Sequence, residues 1–210
     1  MQELLEKGIG KKEFKDTIIG QIPKDWHIQQ LDSLIEQGWI SYHLDGNHGE
    51  LYPRAGEFVD QGVPFLSANM IVNGRIDFSK SKYLNEKRAK QFTKGVAENG
   101  DVLLAHNATV GSVAILETKL PYVILGTSLT YRCSLNRINN QYLHYYMESY
   151  YFQKQLWSIM KQTTRNQVPI TNQKKLFFVI PSKIEEQSDI AQILSAMDNE
   201  LEVLEHKRDK

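Results

Sequence analysis

Short apolar runs separated by turn residues fill the first two-thirds of the chain, and a helical period takes over after residue 139. Leu4 and Leu5 sit in a polar stretch that stops at Gly8 and Gly10, the pattern of a helix's last turns ended by glycine. Residues 18–26 (IIGQIPKDW) read as extended chain, because a residue before proline avoids the helical region. Trp26 and Ile28 read as its anchors onto the globule. Residues 31–81 are loop-rich: DGNHG at 45–49 is a turn cluster, and Asn73-Gly74 is a hairpin signal. Apolar runs at 63–66 and 70–72 lie between those turns, and residues 84–92 read as a short basic helix with Asn85 as its N-cap. Strand-like runs follow at 101–105, 112–116, 122–125 and 129–133. Their spacing is that of hairpins, so a mostly antiparallel, curved sheet is expected.

Asn139 or Asn140 then starts a helix predicted to run unbroken to Met160. Tyr142, Leu143, Tyr146, Met147, Tyr150, Leu156, Trp157 and Met160 fall near a 3.6-residue period along it. A polar linker at 162–167 leads to Val168-Pro169-Ile170 and to a last strand at 176–180. Beyond Pro181, Ser182 and Glu185 have the spacing of a capping box. A helix over residues 184–210 would be roughly 40 Å long at 1.5 Å per residue. On it Ile190, Leu194, Met197, Leu201 and Leu204 form an a/d seam. Packing against its own globule is the simple account of such a stripe. Because the seam runs on toward the chain end, pairing with a partner helix is expected ahead of it. The pattern predicts an α+β fold: a twisted, mostly antiparallel sheet with flanking helices, plus a protruding C-terminal coiled-coil-type helix. Residues 1–17 read as a helix tail and linker, 18–181 as the globule and 182–210 as the protruding helix.

Composition narrows the class. With 41% hydrophobic residues over 210, the chain has enough apolar surface for a packed core and is not wholly disordered. No run approaches the ~18 apolar residues a membrane span needs. The charged start has no apolar signal core, so a cytoplasmic protein is expected. Cys133, the single cysteine, excludes an internal disulfide and a cysteine-based metal finger. The 25 Lys+Arg cancel the 25 Asp+Glu, but unevenly along the chain. Residues 75–94 carry seven basic and two acidic side chains, 161–175 four basic and no acidic ones, and 182–210 eight acidic against four basic. That layout suits a polyanion at one end and a protein at the other. Solvated surface charge is the simpler alternative.

Five blocks, in order, resemble target-recognition domains of type I restriction–modification specificity subunits. Gly20-Gln21-Ile22-Pro23-Lys24-Asp25-Trp26 resembles the family's G-x-IP-x-x-W entry. Residues 45–49 with Tyr52-Pro53-Arg54 resemble a loop shared by a subset of these domains. Gly62-Val63-Pro64-Phe65 matches the G-(I/V)-P-(F/W) strand, and residues 100–104 with Thr109-Val110-Gly111 resemble GDVLL…GTVG. Pro181, Glu186-Gln187, Ile190-Ala191, Leu194 and Asp198 resemble the head of the conserved spacer helix. The family's glycine before Thr-Val-Gly is Ala108 here. Complete members carry two recognition domains and two long spacer helices, so this chain resembles a half-subunit. Residues 1–17 then correspond to the tail of a spacer helix, 18–181 to a recognition domain and 182–210 to a spacer helix.

The resemblance implies sequence-specific binding of double-stranded DNA without catalysis. It implies a partner adenine methyltransferase that holds S-adenosylmethionine, a restriction subunit in complexes that have one, and no cofactor in this chain. It also implies one half of a bipartite DNA target, with two chains able to pair as a homodimer through antiparallel spacer helices. No phosphate-binding loop, GxGxxG, metal-ligand spacing or methyltransferase motif is present in the sequence.

Base edges are read by polar side chains held on loops at one end of a rigid sheet. Four segments have that chemistry: His43, Asn47, His48, Tyr52 and Arg54; Ser67, Asn69, Asn73 and Arg75; His106, Asn107 and Thr109; and Thr163, Thr164, Arg165, Asn166 and Gln167. The last, centred on Arg165, is the leading base-reading candidate. Asn47 and Asn73 beside glycine read as turn formers before base readers, and His43 and His106 read equally as polar core residues. Lys80, Lys82, Lys87, Arg88, Lys90 and Lys94 are phosphate contacts or plain solvated charge. Tyr145, Tyr150, Tyr151 and Trp157 read as core before stacking platforms. The alternative function is a non-catalytic module that docks methyltransferase subunits and has little DNA affinity of its own.

Overall fold

Alternation of side chains along two central strands sets the layers of the molecule. The computed structural model describes residues 2–47, 49–107, 109–126, 128–161 and 166–208. In Val102–Ala105, Val102 and Leu104 enter one core and Leu103 another. In Val123–Leu125, Val123 and Leu125 enter one core and Ile124 another. Both strands are therefore covered on two faces, as their unbroken apolar runs require.

Two stacked sheets result, where the hairpin spacing predicts one. The four-stranded antiparallel sheet has the order Val113–Ile115, Val102–Ala105, Ser128–Cys133, Ile40–Asp45. The five-stranded sheet has the order Val96–Ala97, Val123–Leu125, Val63–Leu66, Lys82–Leu84, Phe58–Val59. Its pair Val123–Leu125 and Val63–Leu66 is parallel, a long-range contact that no hairpin signal announces. Leu103 and Leu116 meet Leu66, Ala97, Val123 and Leu125 between the sheets. Ala89 and Phe92 cover Phe65, Leu84 and Ile124 on one outer face. On the other, Val102, Leu104, Val113 and Tyr131 pack against the helical layer. Each large apolar side chain buried this way contributes about 1.5–3 kcal/mol.

The termini are tied into this core. The strands Phe14–Thr17 and Gly20–Pro23 form a hairpin that turns at residues 18–19. Trp26 is buried, and its indole nitrogen donates to Glu186 Oε1 at 3.2 Å. His27–Gln30 pairs antiparallel with Phe177–Ile180, joining the two ends of the globule. Asn85 caps a helix shorter than expected, Glu86–Ala89, its side chain accepting from the Arg88 amide.

The helix expected over 139–160 is two helices, Asn140–Glu148 and Tyr150–Met160. Asn139 caps the first, as the sequence implies. Ser149 breaks the run in extended geometry, with φ −65 and ψ 154. Its hydroxyl donates to the Tyr146 carbonyl and accepts from the Phe152 amide, so it ends one helix and caps the next. The break changes which face is inward. Phe152 and Leu156 are buried, whereas Tyr150 and Trp157, expected in the core, are 53% and 46% exposed.

The C-terminal helix Ile184–Arg208 begins too late for Ser182 to cap it, and the Ser182 hydroxyl donates to the Asp25 carbonyl instead. Its seam is divided. Ile190 and Leu194 are buried in the chain's own core, so they are closed to a partner helix. Met197, Leu201 and Leu204 are 46%, 57% and 53% exposed. Among the described residues no helix is long and apolar enough to cross a membrane.

Candidate nucleic-acid interface

The register of the four-stranded sheet gathers loops at one rim. Asp45 lies opposite Leu129 and Ala105 opposite Ser128, so Ile40–Asp45 and Val102–Ala105 both end where Ser128–Cys133 begins. There His106 Nε2 is 2.9 Å from Asp45 Oδ1, and Nδ1 is 3.3 Å from the Val168 carbonyl. Val168 N donates to the His106 carbonyl at 2.8 Å, and Asn107 and Gln167 form an antiparallel bridge. The five-stranded sheet joins the same rim: Asn47 N donates to the Leu125 carbonyl, and Gly126 N donates to the Leu66 carbonyl. A Cβ at Gly46 would lie 1.9 Å from the Gly126 carbonyl oxygen, so only glycine permits this approach.

Described residues of three of the four sequence-predicted segments therefore converge, together with Ser67 at the start of the other. Asn107, Thr109 and Asn166 are exposed on the rim, and Gln167 and Ser67 are half-buried. These are amide and hydroxyl groups of the kind that pair with base edges and phosphates. Tyr52, Arg54 and Asn69 are also exposed; the Tyr52 ring packs edge-on against Phe65 at 5.2 Å. His48, Thr163, Thr164 and Arg165, the leading candidate among them, lie outside the described residues.

Four candidate base readers have other work. His43 faces inward, 4.8 Å from the Tyr131 ring. Burial pushes its pKa down to about 4, so the ring is neutral near pH 7. Asn47 is fully buried, and its side-chain nitrogen donates to the carbonyls of Lys94 and Leu125 at 2.9 and 3.0 Å. It ties the loop to the neighbouring sheet and offers nothing to a base. Asn73, at φ +48, and Gly74, at φ +74, form the hairpin turn between Ile71–Val72 and Arg75–Ile76. That turn carries Arg75 toward the C-terminal helix, where it pairs with Glu202 at 3.3 Å.

The basic segment is largely paired as well. Arg88 Nε sits 2.6 Å from Glu57 Oε1, and Nη2 donates to the Leu51 carbonyl, which fastens the far end of the first loop. This half-buried guanidinium is a structural clasp, not an open phosphate contact. Lys80 pairs with Asp77 and Lys90 with Glu86, while the Lys82 ammonium lies 4.9 Å from the centre of the Phe58 ring. Lys87 is exposed; half-buried Lys94 abuts the rim through its carbonyl.

Beneath the rim lies a polar network that sequence reasoning missed. The Tyr131 hydroxyl donates to Gln173 Oε1 at 2.5 Å, and Gln173 Nε2 donates to the Val168 carbonyl at 3.0 Å. Burial drives the Tyr131 pKa upward, keeping it a neutral donor. With His106 and Asp45, this network fixes the bases of three loops. Its members are far apart in sequence, and only the presence of polar residues in apolar runs hints at it. Burial also raises the Cys133 pKa to about 12, which leaves an inert thiol. Among the described residues, no group of His, Cys, Asp or Glu is placed to hold a metal.

Comparison with known proteins shows the chain's family. Residues 23–210 match the model of the type I restriction modification DNA specificity domain. The MjaX type I restriction enzyme specificity subunit of Methanocaldococcus jannaschii is 28% identical over 194 residues, covering 90% of this chain and 43% of the relative. The MjaVIII specificity subunit of the same organism is 25% identical over 216 residues, covering 100% and 48%. The chain thus spans about half the length of the curated relatives it matches. The crystal structure of the HsdS subunit from Thermoanaerobacter tengcongensis superposes with a TM-score of 0.63 at 17% identity, covering 92% of this chain and 42% of that one, which supports the fold. Both relatives carry the name specificity subunit. A family match over nearly the whole chain, together with loops gathered on one rim of stacked sheets, establishes that this chain belongs to the type I restriction–modification DNA specificity family.

Proposed function

We propose that the chain recognises one half of a bipartite double-stranded DNA target and directs a partner adenine methyltransferase to it. S-adenosylmethionine is held by that partner, and a restriction subunit joins in systems that have one. Residues 18–181 act as the recognition domain and 182–210 as the spacer helix. This role places the protein in the cytoplasm, with the host DNA. The observation that carries the reading is the rim, where Asn107, Thr109, Asn166 and Gln167 are brought together from separate loops over a rigid polar base. Met197, Leu201 and Leu204 support pairing of two chains as a homodimer along their C-terminal helices.

The test is DNA binding by the full chain with its methyltransferase, using sites drawn from the host's methylated sequences. Asn107→Ala and Thr109→Ala should each lose about 1–3 kcal/mol of discrimination at one base position and leave the unfolding midpoint unchanged. Lys87→Gln should lower affinity uniformly and reduce the salt slope by about 0.9. Unchanged selectivity in both rim variants removes the rim from recognition. It would favour the docking-module alternative.

A further inference from the structure

The turn that joins Val102–Ala105 to Val113–Ile115 carries Asn107 and Thr109, and its two legs are held differently. The incoming leg is tied to residues 166–168: Val168 N donates to the His106 carbonyl, and Asn107 bridges to Gln167. On the outgoing leg, Gly111 N donates to the Ala105 carbonyl at 2.9 Å, and Val110 packs against the main core. The Gly111 carbonyl is taken by a side chain from the helical layer, where Gln153 Nε2 donates to it at 2.8 Å. The same nitrogen donates to the Met147 carbonyl at 2.7 Å.

The break at Ser149 makes this double bond possible. In an unbroken helix the Met147 carbonyl would accept from the backbone amide four residues on. Ser149 in extended geometry ends that ladder, and Gln153, in the first turn of Tyr150–Met160, supplies the missing donor. Both acceptors are carbonyl oxygens, so the side-chain nitrogen faces them and both its protons are used. The fit is close. Gly111 has φ +100, and a Cβ there would lie 2.3 Å from Gln153 Oε1, so the amide lies against bare backbone. The helix beneath is itself fixed. Phe152 and Leu156 are buried, and Gln155 donates to the Phe177 carbonyl and accepts from the Phe177 amide, at 3.0 and 2.7 Å. At the tip, Thr109 N donates to the Asn107 carbonyl at 2.8 Å, which couples the two exposed residues to each other.

We propose that Gln153 is a positioning residue for base recognition, its amide fixing the outgoing leg so that Asn107 and Thr109 meet base edges in register. This role rests on the rim being the surface that meets DNA. With both protons taken, Gln153 has no donor left for a base, and its effect passes through the turn. Base readout needs donor–acceptor distances of about 2.7–3.2 Å and is lost when the turn shifts. Phosphate contacts set orientation and overall affinity without reading sequence. Loss of the clasp therefore shows in discrimination and spares the electrostatic part of binding.

The test is competition binding by the full chain with its methyltransferase. The duplexes are the host's methylated site, copies substituted at each base position of the half-site, and an unrelated sequence. Gln153→Glu keeps the shape and removes both donors, and Gln153→Met removes the polarity as well. Each should lower discrimination about tenfold at the positions that Asn107→Ala and Thr109→Ala affect. With Gln153→Met, affinity for the unrelated duplex and the salt slope should not change. Gln153→Met combined with Thr109→Ala should lose little more than the larger single loss, because both act at one contact. Gln155→Met unties the same helix from Phe177 and should lower the unfolding midpoint while leaving discrimination unchanged. If Asn107→Ala and Thr109→Ala lose discrimination while both Gln153 variants keep it, the positioning role is overturned and the rim reading stands. If none of the four loses it, the rim reading itself fails and takes this role with it. An equal loss in Gln155→Met also overturns the proposal, since helix stability would then explain the effect. One measurement requires no variant of Gln153 to fold: in the parent chain, the Gln153 side-chain amide resonances should shift with the cognate duplex and not with one substituted at an affected position. Equal shifts with both overturn it.

Discussion

The rim contrasts with an acid-lined groove between the Asn73-Gly74 turn, the helix Asn140–Glu148 and the outer half of Ile184–Arg208. Each contains a histidine whose pKa burial lowers to about 4 and one of whose ring nitrogens has no hydrogen-bond partner among the described residues, yet the polar groups around them are arranged differently. Around the rim, Tyr131, Gln173, His106, Asp45 and the Val168 carbonyl supply one another with donors and acceptors. At the groove, His144 faces Glu148, and Glu148 faces Asp198. Closed polar networks hold a single geometry, because every member loses a partner when one moves. Like charges held together do the reverse and leave a position open to an opposite charge. The comparison separates a rim held rigid by its own hydrogen bonds, proposed above to read DNA, from a surface left electrostatically incomplete.

The largest effect should come from the helix that forms one groove wall. Leu194→Ala removes a 2% exposed side chain and should cost about 2–5 kcal/mol in urea unfolding. Leu201→Ala, seven positions on along the same seam, should stay within about 0.5 kcal/mol. Equal losses at both would mean that the outer half of the helix is packed in the monomer. Next, Gln173→Ala strips the Tyr131 hydroxyl and the Val168 carbonyl of their partner and should cost about 1–3 kcal/mol. If it leaves stability untouched, the rim is not held by its network.

The smallest effect is the sharpest in form. Because the folded pKa of Glu148 lies above its ordinary 4.5, the folded chain keeps a proton that the unfolded chain has lost. The stability linked to Glu148 is present below about pH 4.5 and is lost as pH rises through 7. His43 and His144 act oppositely: their folded pKa lies below 6.5, so their contribution is present above pH 6.5 and is lost as pH falls through about 4. The stability of Glu148→Gln minus that of the parent should therefore grow between pH 4.5 and 7. A difference flat across that window would contradict the uncompensated acid pair.

Several elements were legible from local chemistry. Gly8 ends the first helix, Asn85 and Asn139 cap later ones, Asn73-Gly74 makes its hairpin turn, and Trp26 anchors the entry segment. Each depends on a few neighbouring residues, so the pattern carries the answer. The break at Ser149 was not legible because the apolar period continues across it, and a serine inside such a run is silent until its hydroxyl is seen bonding to Tyr146 and Phe152. Asn47 reads as a turn former before a base reader, and it proved to be a fully buried tie between sheets. Arg75 and Arg88 read as open cations because their acids, Glu202 and Glu57, lie far along the chain.

Periodicity, caps and ordered motifs by themselves determined the fold class, the family and the elements, because these follow from interactions within a few residues or from blocks preserved in order. Only the tertiary structure decided which polar residues face water, which half of the seam is covered, and that two sheets stack where one was expected. Those outcomes rest on contacts between residues far apart in the chain, such as Asn47 with Leu125, Arg75 with Glu202 and Tyr145 with Asp198. No local pattern encodes such pairings, because each forms only after the layers have packed.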